Sequence, residues 1–531
     1  MTNTHASRVF SMASGTLASR LSGLLRVLVL AWVLGVTPIA DAFNLANTVP
    51  NMLFDLVLGG VASATFIPVF VERLALDGER KAWKSISSVI NAALVVLILA
   101  SMLAWLFAPS IIDGFTVLNH PGATRSAIDL ANQRALATQL LRWFVPQIFF
   151  YGVIGIATAL LNIRSRFGAA AWVPVANNVV CIAVLIWFHL VDPNPSVASL
   201  DGSHHLMWLG LGTTLGVAVQ FLMLGPSLWR SDLWRFSLRL DLKDPAVRAV
   251  SRLGSWTLLV VVTNQISLYL VLAFAFGLGG GFVSAYTYGW SFMQMPYAVV
   301  VVSVLNALTP QLASLATQKD FAELSERLRF GLRQSMVIII PCTLGLVVLA
   351  QPLVAILLEH ANATHHYAAG TVLAVLAAGL PGFTLFQLAV RGLQAMQRAR
   401  DVFVLYAIEN LATIALAIAL GRHSLAGLVA SVSIAYSASA LVALWVLSRH
   451  QVHLGSVLWS AHVRRSLWAS LTATLVIAAA YAGPVWQRGL GLITRFAFAV
   501  VAGLLAYAIS VVVQQRRLSR RRSKDGRLGQ F

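Results

Sequence analysis

The stretch "SRLSGLLRVLVLAWVL", residues 19–34, reads as bilayer material except for Arg20 and Arg26. An arginine at the centre of a spanning helix costs about 2.5–3.5 kcal/mol on insertion scales. On a helix the two lie ~9 Å apart along the axis and about 120° apart around it, with Gly23 on the same arc. Three arrangements would accommodate them: snorkelling to a helix end, pairing with an acid such as Asp55, or lining a polar cavity. Snorkelling suits Arg20 better than the deeper Arg26. A cavity lined by two guanidiniums suits a diphosphate or another polyanionic head group, because each guanidinium grips phosphate oxygens in a fork.

The rest of the chain settles the class. Its 531 residues are 58% hydrophobic and 11% charged, with a mean hydropathy of +0.78. A soluble domain carries roughly 25% charged residues, so this is an all-α integral membrane protein. Cys181 and Cys342 both lie in apolar runs, which suggests neither a disulfide framework nor a metal site. No cleaved signal peptide is expected, since the first apolar run holds arginines and outlasts an h-region.

Apolar stretches of about 20 residues cross a ~30 Å hydrocarbon core. They predict fourteen transmembrane helices near 10–38, 42–71, 86–111, 136–161, 169–190, 206–228, 253–277, 281–316, 335–358, 367–396, 402–420, 424–447, 466–483 and 491–514. The second, eighth and tenth are long or hold proline (Pro50, Pro68, Pro296, Pro310, Pro381) and are expected to be kinked or broken. With the N-terminus inside, 29 of the 38 Lys and Arg fall in cytoplasmic segments and only four in the opposite loops. That alternation places both termini in the cytoplasm. It also accounts for the net charge of +19 without nucleic acid: the basic residues set topology and attract anionic membrane lipids. The tail "RRLSRRRSKDGR" is read as a topology anchor.

The chain also repeats itself. "FIPVFVERLALDGERKAWKSISSVINAALVV" after the second span resembles "LTPQLASLATQKDFAELSERLRFGLRQSMVI" after the eighth, 242 residues on. "FVPQIFFYGVIGIATALLN" in the fourth resembles "GLPGFTLFQLAVRGLQAMQ" in the tenth, 235 residues on. Six spans separate the partners each time, so orientation is preserved and the repeats are parallel. The expected organisation is a six-helix lobe at 1–230, a second at 231–450, two extra helices within 451–514 and a basic cytoplasmic tail at 515–531.

Few acids remain in the membrane. Asp41, in "ADAFN", reads as an acid opening the second span at the outer surface, stabilised by the helix dipole. Asp55 lies deeper and needs a partner, for which Arg26 is the obvious choice. Glu409, beside Asn410, is either a coupling-ion ligand or a protonated core acid. His204–His205 and His365–His366 fall in outer loops without metal-site spacing and read as solvated.

These residues resemble the MurJ/MviN family of lipid II flippases, within the wider superfamily of multidrug and oligosaccharidyl-lipid exporters. The likeness is carried by "SRLSGLLR" (Ser19, Arg20, Gly23, Arg26), "DAF" (Asp41 to Phe43), "PN" (Pro50, Asn51) and "FIP" (Phe66 to Pro68). Further along come "LLNIRSRFGAAAWVPVANN" (Leu160 to Asn178), "NQISL" (Asn264 to Leu268) and "MQMPYAVV" (Met293 to Val300). The resemblance implies six plus six plus two helices working by alternating access, with Arg20 and Arg26 on the diphosphate of lipid II. It implies Gly23, Asp41, Asn51 and Asp55 as cavity or gate residues. Where many members carry basic residues after the "PN" motif, this chain has Phe54 and Asp55. Where they carry an arginine before the eighth-span proline, it has Ser291.

The expected function is therefore translocation of the undecaprenyl-diphosphate-linked peptidoglycan precursor across the bacterial cytoplasmic membrane. No organic cofactor is expected; a coupling cation or the membrane potential would supply the energy, and other cell-wall synthesis proteins are candidate partners. The rivals are a flippase for another lipid-linked glycan, a MATE-like exporter and a polytopic glycosyltransferase. The last would want clustered acids in a roomy outer loop, and Asp113, Asp192, Asp201 and Glu359 do not cluster in sequence.

The charge asymmetry makes a direct prediction. A single cysteine in the 231–247 loop should react with an impermeant thiol reagent only from the cytoplasmic side, and one in the 193–203 loop only from outside. Labelling of both from one side would overturn the span count.

Overall fold

The computed structural model describes residues 2–59, 66–118, 127–164, 167–193, 195–200, 202–230, 236–357, 363–457, 459–482 and 491–528. Side chains of residues 1–13, of His365 and His366 and of the tail from residue 515 lie outside that description, as do Arg125, Arg166, Arg235 and Arg488. The described residues are nearly all helical, without a strand. They divide by their contacts into two compact units, Met1–Thr287 and Tyr288–Phe531.

The first unit begins with α1 (Thr2–Leu34), α2 (Pro38–Phe54), α3 (Ile67–Leu106), α4 (Ala108–Thr116), α5 (Ala127–Phe144) and α6 (Pro146–Ile163). It continues through α7 (Phe167–Val191), the short α8 (Val197–Leu200), α9 (His204–Trp229), α10 (Pro245–Leu278) and the start of α11 (Phe282–Pro296). Its helix starts follow from sequence. Thr37 Oγ1 accepts from the Ala40 N–H with Pro38 next, and Asp244 Oδ1 accepts from the Ala246 N–H with Pro245 next. Each polar side chain meets an orphan N–H, and each proline occupies a first-turn position that has no N–H to lose. Helix α7 packs on both α1 and α9, α2 on α5, and α3 on α6, while α10 lies against α3 and α4. That last contact is why the first compact unit runs past residue 230.

The second unit holds the rest of α11, then α12 (Val302–Thr317), α13 (Phe321–Leu357), α14 (Ala363–Ala378), α15 (Leu380–Ala395), α16 (Ala399–Leu420), α17 (Leu425–Arg449), α18 (Ala461–Ala482) and α19 (Leu492–Leu528). Helices α18 and α19 pair with each other and pack on α13 around Leu349, Ile477 and Ala499. A proline fixes this docking. Pro341 has no N–H, so the Val337 carbonyl one turn earlier loses its helical donor. Ser466 Oγ of α18 donates to it at 2.8 Å and the Tyr507 hydroxyl of α19 at 3.2 Å.

Among the described residues, eleven helices are long and apolar enough to cross a membrane, or up to twelve with a pair bent by 46°, Tyr367–Ala378 and Leu380–Ala395. The expected fourteen is therefore not reached. Of the two remaining stretches, 42–71 begins as α2 and passes into residues 60–65, outside the described set. The other, 466–483, is α18, whose apolarity is diluted by Ser466, Ser470, Thr472 and Thr474.

Breaks follow Pro50, Pro296 and Pro381 in the expected second, eighth and tenth spans, Pro310 lies inside α12, and a break not expected falls at Pro146 in the fourth. A π-helical turn at Asp55–Gly59 follows Pro50 in the first unit; another at Tyr297–Val301 follows Pro296 in the second, at the same 242-residue offset. Pro146 opens α6 after the α5 break and Pro381 opens α15 after the α14 break, 235 residues on. Proline at the second helix's first turn interrupts the hydrogen-bond ladder in both places.

Candidate functional site

The charged residues of the first unit do not pair as the sequence suggested. Arg20 is exposed on α1, whereas Arg26 is half-buried. Asn178 of α7 fixes α1 beside them: its Nδ2 donates to Ser22 Oγ at 2.9 Å and to the Ser19 carbonyl at 3.4 Å. A side chain at Gly23 would meet only Asn178 Nδ2, at 3.6 Å, so close packing does not require glycine there. Arg26 lies near Cys181 of α7, whose thiol donates to Asn177 Oδ1 at 3.3 Å, and near Tyr151 of α6.

Asp55 is not the partner of Arg26. It opens the π-helical turn and accepts from Gln265 Nε2 of α10 at 3.1 Å, and among the described residues Arg26 makes no ion pair. Phe54 turns its ring to Tyr151 with centroids 5.8 Å apart. Asn51 donates back to the Asn47 carbonyl at 2.7 Å, next to Pro50. The first unit thus brings Arg26, Tyr151, Cys181 and Phe54 into one neighbourhood, and gives Asp55 to α10 instead.

Asp41 is the strongest polar centre. It lies in the first turn of α2 and is fully buried. Its Oδ2 accepts from the Gly281 N–H at 2.6 Å, and its Oδ1 from the Ser284 N–H at 2.8 Å and the Ser284 hydroxyl at 2.7 Å. Asn44 Nδ2 donates to the same Ser284 Oγ at 3.1 Å. The acid therefore sits in the first turn of α2 and also serves the first N–H groups of α11, where the helix dipole favours negative charge. Gly281 has φ +84, and a Cβ there would come within 2.5 Å of the Val36 carbonyl oxygen.

In the second unit Glu409 is buried on α16 and accepts from Thr413 Oγ1 at 3.0 Å. Asn410 Nδ2 donates to the Tyr406 carbonyl, and the Tyr406 hydroxyl to Gln387 Oε1 at 3.2 Å. Among the described residues no three His, Cys, Asp or Glu side chains are placed to hold a metal ion. His205 faces Asp192 at 3.9 Å.

Sequence reasoning missed Ser284, Gly281, Gln265, Cys181 and Tyr151. The run "GLGGGFVSAY" carried one usable signal: glycines ending a helix, then a serine within the next helix's first turn.

A membrane-embedded helical chain with twice-repeated helix breaks and buried charges in both halves is a polytopic transporter. Comparison with known proteins narrows this. The family model described as lipid II flippase MurJ matches residues 30–501, and the chain belongs to that family. A probable lipid II flippase MurJ from Rhizobium meliloti is 25% identical over 95% of this chain and 86% of its own length. The lipid II flippase MurJ of Burkholderia cenocepacia is 28% identical over 73% of each chain. Among solved structures, a lipid II flippase MurJ in an inward closed conformation aligns with a TM-score of 0.76 at 21% identity, covering 96% of this chain and 99% of that one. An inward-facing MATE family multidrug transporter aligns at 0.66 and 14% identity, covering 85% and 99%.

The Asp41 geometry makes the next prediction. Asp41→Ala strands three buried donors, each costing about 1–3 kcal/mol when unmet, so the detergent-purified protein should lose ~3 kcal/mol or more of stability. Asp41→Asn should recover only part of this, because its amide NH₂ must face an N–H. Gly281→Ala should destabilise as well, by ~1–2 kcal/mol from its left-handed backbone alone. Gly345→Ala is the control, since a Cβ there meets nothing within 4 Å. Equal melting temperatures for Asp41→Ala and Gly345→Ala would refute the capping role.

Proposed function

We propose that this chain is a flippase moving lipid II, the undecaprenyl-diphosphate-linked disaccharide-pentapeptide, from the inner to the outer leaflet of the bacterial cytoplasmic membrane. The observation that carries the reading is the continuous family match from residue 30 to 501, which takes in both compact units. The chain is a transporter and not an enzyme. The MATE neighbours share its fold at much lower identity, and no feature of the chain favours drug export over the lipid substrate.

In this reading both termini are cytoplasmic, and the repeat divides the chain into lobes at 1–230 and 231–450, an extra pair within 451–514 and a basic tail. The support is the charge alternation and the recurring helix breaks. Arg20 and Arg26 hold the diphosphate: Arg26 is half-buried, has no acid against it among the described residues, and has the Cys181 thiol and Tyr151 phenol near it. Asp41, with Asn51 and Asp55, belongs to the gate. By the same topology its network ties the outer ends of α2 and α11, and opening on that side must break those bonds.

Two experiments test this reading. In a strain dependent on the variant, lipid II accessible at the outer leaflet should fall steeply for Arg20→Ala or Arg26→Ala, with membrane insertion intact. Arg26→Lys should rescue only in part, because an ammonium keeps the charge and loses the fork. Full activity of the double alanine variant would remove the site, and full activity of the double lysine variant would remove the forked contact.

Glu409 and Asn410 are the proposed coupling-ion position, supported by the burial of Glu409 and its Thr413 hydroxyl contact. A hard cation would need several further oxygens, which helix carbonyls and water supply. Glu409→Gln should abolish the cation dependence of flipping in a well-expressed protein. Unchanged ion dependence would leave Glu409 as a protonated core acid.

A further inference from the structure

Helix α15, in the second unit, carries a polar stripe that neither the α1 arginines nor Glu409 account for. It packs against α12, α13, α16 and α17. From Phe383 to Leu393 every residue is buried except Gln387 and Arg391, and Gln394 continues the opening one turn on. Spacings of four and then three residues put these side chains on one face of the helix. Over those turns the open face of α15 is therefore a guanidinium between two amides. Lipid is a poor neighbour for such a face, and charged side chains within spans turn to the bundle interior or to water. Arg391 lies near the helix end at Ala395, where an arginine can snorkel. Snorkelling needs nothing polar on the inward side, and here the stripe runs a full turn deeper, to Gln387.

The stripe also keeps unused hydrogen-bonding capacity. Gln387 Oε1 accepts from the Tyr406 hydroxyl of α16 at 3.2 Å, which leaves its amide NH₂ without an acceptor among the described residues. Arg391 Nη1 donates to Gln394 Oε1 at 3.3 Å, and its guanidinium pairs with no acid among the described residues. Glu409, also near Tyr406, is buried and accepts from Thr413. The internal repeat supplies an independent observation. Its 235-residue offset places Gly152, Ile156 and Ala159 of α6 at the positions of Gln387, Arg391 and Gln394. The scaffold thus forms without polar side chains there, and only the second half carries them.

A fork for one carboxylate, flanked by amides that both donate and accept, matches an acidic peptide. A diphosphate carries more negative charge than a lone guanidinium offsets. We propose that the Gln387–Arg391–Gln394 face of α15 recognises the peptide of the head group, with Arg391 on a carboxylate and the two amides on peptide N–H and C=O groups. This rests on the lipid II reading and adds a specificity element to it.

Equilibrium binding to the full-length, detergent-purified protein tests this with two probes, lipid II and the same lipid enzymatically stripped of its peptide. The parent should prefer lipid II. Arg391→Leu should weaken lipid II binding about ten-fold, the worth of one charge-assisted contact, and leave the stripped lipid unaffected, so the preference disappears. Arg391→Lys should restore part of it, since the charge remains and the fork does not. Gln387→Met keeps the length and removes the amide; it should lower the preference about three-fold, a loss that a merely anchoring arginine would not produce. Arg26→Ala should weaken both probes alike. An unchanged preference in Arg391→Leu would overturn the proposal while leaving the flippase reading intact. Equal loss of both probes in that variant would also overturn it, by moving the guanidinium to the diphosphate. A parent that binds neither probe would refute the flippase reading itself. Arg391→Gln, which keeps a polar side chain, carries the same test if Arg391→Leu does not fold.

Discussion

In hydrocarbon a backbone N–H or C=O has no water to turn to, and the whole architecture follows from that. It makes the chain helical, and it makes every interruption of a helix a debt that a side chain must settle. Pro341 frees the Val337 carbonyl, and Ser466 and Tyr507 arrive from α18 and α19 to donate to it. The break between α14 and α15 at Gly379 has Ser433 Oγ donating to the Val375 carbonyl nearby. The first turn of α11 exposes N–H groups, and the Asp41 carboxylate takes two of them. Polar residues in this protein gather at the breaks, so the contacts between helices are specified where the helices themselves fail.

That pattern explains what the sequence could and could not reveal. Spans are legible because hydropathy is a local property, and prolines announce their own kinks; Pro146 and Pro381 mark equivalent breaks in both repeats. The exception, α18, is the helix whose hydroxyls are spent on packing against α13 and against its own turns. Partners across the chain were not legible. Asp41 and Gly281 lie 240 residues apart, and Asp55 and Gln265 lie 210 apart. A residue's local pattern says that a buried acid needs donors but not which distant helix brings them. Hence Asp55 looked destined for Arg26, the deep cation of the preceding apolar stretch, when a neutral amide on α10 satisfies it.

That exchange bears directly on Arg26. A guanidinium held by an acid is electrically settled, and a phosphate would have to displace the acid to reach it. Arg26 has a thiol and a phenol as neighbours instead, neither of which cancels its charge. Phe54 strengthens the effect by what it excludes. Its ring lies on Tyr151, so that side of the neighbourhood is apolar. The attraction between opposite charges at a fixed distance grows as the surrounding dielectric falls, several-fold between water and a protein surface. In the proposed reading that apolar wall strengthens the hold of Arg26 on a diphosphate, and no acid among the described residues has to be displaced first.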